Sequence, residues 1–95
     1  MPYVRHSHRA VLDPYIEALS DRLVAFDHAI PGNLNYIITR LIGRVMQDSP
    51  TYATIALLTG VLENAKQEFY RRQATPYEEV KRASNGDILE YEAGE

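Results

Sequence analysis

Two short clusters of arginine, lysine and tyrosine stand close together between positions 68 and 82, and no other stretch of this chain is better equipped to hold a ligand. Glu68-Phe69-Tyr70-Arg71-Arg72 comes first; Tyr77, Glu78, Lys81 and Arg82 follow a Thr75-Pro76 step. Arginine offers a planar fork suited to phosphate or carboxylate, and tyrosine stacks on a flat ring while donating a hydrogen bond. These are the parts a small anionic, nucleotide-like ligand needs, with Arg71, Arg72 and Lys81 holding charge and Tyr70 and Tyr77 stacking. Asn35 or Tyr36 would then contribute from a neighbouring subunit.

The same residues have a purely structural reading. Arg71 and Arg72 pair with Glu68, Glu78 and Glu79 to lock a corner between two helices, and Tyr70 and Tyr77 pack beneath it. Exposed ion pairs contribute only about 0–1 kcal/mol each, a weak reason for so dense a cluster, so both readings stay open.

Other constellations carry less. His6-Ser7-His8 alternates, which in an extended segment puts both imidazoles on one side as a metal pair requires. A third ligand would have to be His28 or a carboxylate, and the simpler reading is two solvated histidines, so no metal is predicted. Glu63, Lys66, Gln67 and Tyr70 share one helical face, a solvated one. There is no cysteine, no glycine-rich phosphate loop, no serine in a nucleophile elbow and no acid/base carboxylate pair. The expectation is a non-enzymatic binding protein without a cofactor.

Helices must position these residues. An N-terminal arm is predicted over residues 1–12. Asp13-Pro14 then gives a helix start, Asp capping free N–H groups and Pro suiting the first turn. Leu12, Ile16, Leu19, Leu23 and Phe26 recur at spacings of four and three, predicting a helix over 13–29. The breaker cluster Ile30-Pro31-Gly32-Asn33 ends it. A second helix over 31–47 carries Leu34, Ile37, Ile38, Leu41, Ile42, Val45 and Met46, an apolar face wider than one partner requires. Ser49-Pro50 repeats the start signal and opens a long helix over 50–73, with Ile55, Leu58, Leu62, Ala65 and Phe69 as a near-heptad seam. Gly60 interrupts it at about 1 kcal/mol against Ala, which suggests room for a crossing helix or a ligand.

Thr75-Pro76-Tyr77-Glu78 fits a capping box opening a fourth helix over 76–84, whose N-terminal N–H groups would add to anion binding. Asn85-Gly86-Asp87 stops that helix, Ile88-Leu89-Glu90-Tyr91 suggests a short extended piece, and residues 85–95 form an acidic tail.

The reading is therefore all-α, a compact bundle of three main helices plus a short C-terminal helix in one domain over 1–95. Ninety-five residues with 45% hydrophobic and 24% charged content should build a core, yet so short a chain leaves much apolar surface open. Assembly as a homo-oligomer is expected. The net charge of −3 argues against general nucleic-acid binding. Neither a signal-peptide core nor an 18-residue apolar run occurs, so no membrane partner is expected and the cytoplasm is the predicted location.

Pro31-Gly32-Asn33-Leu34-Asn35-Tyr36-Ile37-Ile38-Thr39, Gly60-Val61-Leu62-Glu63, Glu68-Phe69-Tyr70-Arg71-Arg72, Pro76-Tyr77-Glu78 and Asn85-Gly86-Asp87 together resemble a family of small proteins of unknown function from bacteria, archaea and phages. The likeness spans nearly the whole chain and implies that the polar corner belongs to the family's pattern. It transfers no catalytic or binding residues. A looser analogy, at the level of fold alone, is with small helical phage proteins that assemble into rings or bundles and sequester the cyclic nucleotide signals of bacterial immunity. It makes a phage anti-defence sponge one form of the ligand-capture reading. The alternative is an obligate homo-oligomeric structural or protein-interaction adaptor with no small-molecule ligand.

Overall fold

A computed structural model describes residues 2–92. Of these 86% are helical and none lies in a strand. The all-α expectation holds, with three main helices, α1 (His6–Val24), α2 (Ile30–Asp48) and α3 (Tyr52–Phe69), and a shorter α4 (Thr75–Asn85). By its internal contacts the chain divides into two compact units, Met1–Val61 and Leu62–Glu95, with the boundary inside α3. Residues 93–95 of the predicted acidic tail lie outside the described residues.

In the first unit, α1 starts seven residues before the predicted site, so residues 6–12 are helix rather than arm. Arg5 is extended and caps with no side-chain bond, while the Arg9 Nε donates to the Val4 carbonyl at 2.8 Å and ties the entering strand of chain to the first turn. Pro14 sits inside the helix. It removes one donor, the one aimed at the Ala10 carbonyl, and a bend there is tolerated when the rest of the ladder holds. The predicted end at residue 29 is also moved: α1 stops at Val24 and the chain turns through Asp27, whose φ is 56°. Aspartate is among the few side chains that accept this left-handed conformation.

The cluster read as a breaker instead opens α2. Pro31 occupies the first turn, where its missing N–H would be unsatisfied anyway, and the Asn33 Nδ2 donates to the Ala29 carbonyl at 2.8 Å. At α3 the cap is Thr51 and not Ser49. The Thr54 N–H donates to the Thr51 hydroxyl at 3.1 Å, the N-cap to third-residue bond that Ser49 stands too far away to make.

The second unit departs most from expectation. No break separates α3 from α4. A π-helical turn, Tyr70–Ala74, joins them, and the Thr75 N–H donates to the Tyr70 carbonyl five residues back. Pro76 supplies the reason. In an unbroken α-helix its ring would strike the Arg72 carbonyl four residues earlier and leave it without a donor; widening the turn by one residue moves that carbonyl aside. Thr75 is helical and caps nothing with its side chain, so the capping box is not formed. α4 ends as predicted at Gly86, with φ 89°, its N–H donating to the Arg82 carbonyl at 2.8 Å. Leu89–Tyr91 forms a 3₁₀ turn instead of an extended piece.

Neither unit builds the expected core. Among the described residues only Leu58 is buried, at 7% exposure, and no buried polar side chain occurs. α1 touches α2, and Ile30, Ile37, Ile42 and Met46 are half-buried. Leu34, Leu41 and Val45 remain exposed. The second α2 face foreseen in the sequence is therefore left uncovered by the described residues of its own unit. An alanine Cβ at Gly60 would meet nothing within 4 Å outside its own helix backbone, so no described helix of the first unit crosses there. No helix of the described residues is long and apolar enough to cross a membrane.

Candidate functional site

The π turn decides which side chains of the basic, tyrosine-bearing stretch meet. Along an α-helix, residues eight apart stand about 80° apart around the axis, whereas residues seven apart nearly eclipse. One extra residue in the turn moves Glu78 into the position a seventh residue would hold, over Tyr70. The Tyr70 hydroxyl donates to the Glu78 carboxylate at 2.6 Å. That bond holds the Tyr70 phenol above its ordinary pKa, because ionisation would end the donation; the negative charge of Glu78 and slight desolvation act in the same direction.

Arg71 and Arg72 converge on one partner. Arg71 donates to both oxygens of Glu68, its Nη2 at 3.0 Å from each, and the Arg72 Nε donates to Glu68 Oε2 at 3.1 Å. The spacings are three and four residues, so the helix itself brings the three together. Arg82 pairs with Glu79 and lies 3.8 Å from Asp87. Lys66 sits 3.7 Å from Glu63, which also accepts from Gln67 at 3.0 Å. The Gln67 hydrogen bond first, and then the Lys66 charge, hold the Glu63 carboxyl below its usual value.

The structural reading of the arginines is thus formed, with a different assignment of acids. Glu68 takes both arginines, Glu79 takes Arg82, and Glu78 takes Tyr70. Tyr70 and Tyr77 do not pack beneath a corner, for both are exposed and the corner itself is absent. Nor does α4 offer a free N-terminus to an anion, since the helical turn before it already uses its first N–H.

Lys81 stands apart. Its ammonium lies 5.7 Å from the Tyr77 ring centroid, a cation–π distance, and among the described residues no carboxylate lies within ion-pair range of it. Asn35 and Tyr36 belong to the first unit, on α2. Tyr36 is engaged along its own helix by Arg40, which donates to the phenol at 3.0 Å and lies over the ring at 5.7 Å. The structure thus brings together Tyr70, Arg71 and Arg72 with their acids and, separately, Tyr77 with Lys81.

His6 and His8 are both in α1, where residues two apart point about 200° away from each other. The one-sided pair of an extended arm does not form, and no group of three or more potential metal ligands occurs among the described residues. Sequence reasoning missed the Glu78–Tyr70 bond and the Tyr36–Arg40 pair. The second was visible as an i, i+4 spacing; the first depends on a π turn whose only sequence signal is a proline inside a continuous helical pattern.

Comparison with known proteins agrees with the resemblance seen in the residues. The family model described as Domain of unknown function (DUF6899) matches residues 1–88. No curated protein and no solved structure matches the chain.

Proposed function

The chain belongs to this family of unknown function, and from that premise we propose that it is a non-catalytic helical assembly module, an obligate interaction protein whose apolar helix faces are completed by other chains. The observation that carries this reading is burial. The accessible surface is 8599 Å², whereas two separately folded units of 61 and 34 residues leave about 6,600 Å² open in all. The surplus of about 2,000 Å² per chain is of the size that obligate interfaces cover. Much of it is apolar: leucine, isoleucine, valine and tyrosine side chains stand exposed on every main helix. Monomeric proteins rarely leave contiguous apolar patches beyond a few hundred Å². A compact bundle is then a property of the assembly, and a cytoplasmic location belongs to the same proposal.

Sedimentation velocity of the purified protein at micromolar concentration tests this. A discrete species of two or more chains is expected. A monomer that melts cooperatively would sink the assembly reading.

A second reading, capture of a small nucleotide-like anion by Tyr70, Arg71, Arg72, Tyr77 and Lys81, keeps the support of one observation: Lys81 sits over Tyr77 with no carboxylate in range among the described residues. Arg71 and Arg72 would first have to exchange Glu68 for the ligand. Native mass spectrometry with a panel of cyclic and linear nucleotides decides it. Added mass that disappears in Lys81→Ala and in the Arg71→Ala, Arg72→Ala double variant, with assembly retained, would establish capture; no added mass would remove it, and with it the phage-sponge form.

A further inference from the structure

The apolar residues of α1, with Phe26 in the turn just past it, have a pattern and an exposure that together name their cover. Leu12, Ile16, Leu19, Leu23 and Phe26 alternate at spacings of four and three, the repeat of a two-stranded coiled-coil seam. Four of the five are wide open, Leu12 at 49%, Ile16 at 55%, Leu19 at 42% and Phe26 at 54%. The helix's own neighbour, α2, therefore does not cover the seam. Pro14, the one residue that disturbs the ladder, stands about 200° around the axis from Leu12, on the side away from the seam. Asp21 lies on that outer side as well.

Resting on the assembly reading, we propose that α1 pairs in parallel with α1 of a second copy of this chain, seam to seam from Leu12 to Phe26. Area and charge both argue for a second copy as the occupant. A standard interface takes about 800 Å² from each partner, well inside the surplus each chain carries. In a parallel pair, a residue on one flank of the seam faces the residue five positions later on the partner's other flank. His8 then meets Asp13 of the partner subunit, and Arg22 meets Asp27 of the partner subunit, in the turn just past α1. An antiparallel pair joins members of the same flank, setting Asp13 beside the partner's Ser20 and Tyr15 beside the partner's Arg22. It also sets Asp27 beside the partner's His6, a single opposite-charge pair against the two of the parallel arrangement. The chain's own sequence is thus more self-complementary in the parallel direction. Arg9 occupies the next seam position, and the helix begins at His6, before a further one is reached; this ends the apolar contact at Leu12 and fixes its register.

The chain has no cysteine, so single cysteines report the pairing directly in the full-length protein. Leu12→Cys and Phe26→Cys each place two thiols across the seam within reach of a disulfide, provided the pair is parallel. Asp21→Cys places them on the outer side. Under mild oxidation the two seam variants should form at least about tenfold more covalent dimer than the outer one, because pairing raises the effective thiol concentration. Circular dichroism of each reduced variant shows that it is still folded, and either seam variant suffices if the other is not. A mixture of Leu12→Cys and Leu23→Cys chains, unfolded and refolded together, reports direction: a disulfide between the two variants while Leu12→Cys and Phe26→Cys alone stay uncrosslinked means an antiparallel pair and overturns the proposal. No crosslink at any seam position, with the parent chain still sedimenting as an oligomer, also overturns it and leaves the assembly reading standing. No crosslink with a parent that is a cooperatively folding monomer overturns both. A parent that is monomeric and melts without cooperativity overturns self-pairing alone, because the faces are then completed by a different protein.

Discussion

Replacing Gly60 with alanine is expected to stabilise the protein by about 1 kcal/mol. Gly60 lies in the middle of the 18-residue α3, where glycine costs about 0.8–1.0 kcal/mol against alanine through backbone entropy. The opposing term is steric, and for this chain it is zero: a Cβ at Gly60 has no heavy atom within 4 Å, and its φ lies outside the left-handed range. For a chain of this size 1 kcal/mol raises the melting temperature by about 4–8 °C. The figure is the same for a dimer, since the gain and the unfolding entropy both double. Thermal unfolding followed by circular dichroism reads the shift, with Gly43→Ala in α2 as a companion, for that site is equally open. A rise at Gly43 together with a fall at Gly60 would refute the reasoning. It would mean that another chain approaches the α3 backbone at Gly60, which is the close approach the sequence pattern suggested and the described residues of the first unit do not make.

Three further outcomes follow from the same geometry. Obligate pairing makes the melting temperature depend on concentration: a hundredfold dilution costs about 2.7 kcal/mol per dimer, which for two chains lowers the midpoint by about 7 °C, and an unchanged midpoint contradicts pairing. Tyr70→Phe should remove a component of the tyrosine absorbance titration that lies above 10.0. Because the folded-state pKa is raised, the stability linked to this bond is complete below the unfolded value and is lost as pH rises through the folded one; a titration unaltered by the substitution would show that Glu78 does not hold the phenol. Pro76→Ala removes the clash that widens the turn and should stabilise the helix by up to about 3 kcal/mol. As the turn tightens, Glu78 rotates away from Tyr70 and the raised phenol pKa falls. No gain in stability and no change at Tyr70 would show that something other than Pro76 maintains the π turn.

Helix content was legible in the residues because it is local. The three- and four-residue apolar spacings, Gly86 at the end of α4 and the Glu63–Lys66 pair all act within a turn or two of backbone. Membership in a small family of unknown function was legible too, from motifs spread over nearly the whole chain. Helix ends were read less well. Asp13-Pro14, Ser49-Pro50 and Thr75-Pro76 all look like starts, and each is overruled by a neighbour: a helix already running from His6, a better-placed hydroxyl at Thr51, and a π turn that carries the helix past Pro76.

The partners of the candidate site depended on that last choice. Residue types alone placed arginines, tyrosines and acids together between 68 and 82. One additional residue in a single turn rotated everything after it by about 100° and gave Glu78 to Tyr70, leaving Glu68 to hold Arg71 and Arg72. Composition likewise supplied enough apolar residues for a core, but whether they meet depends on contacts between helices distant in the chain. Here those contacts bury only Leu58 among the described residues. Short-range periodicity thus determined what each helix offers, and tertiary structure decided what each face is given to touch, because burial is a property of pairs of elements and no single stretch of sequence contains it.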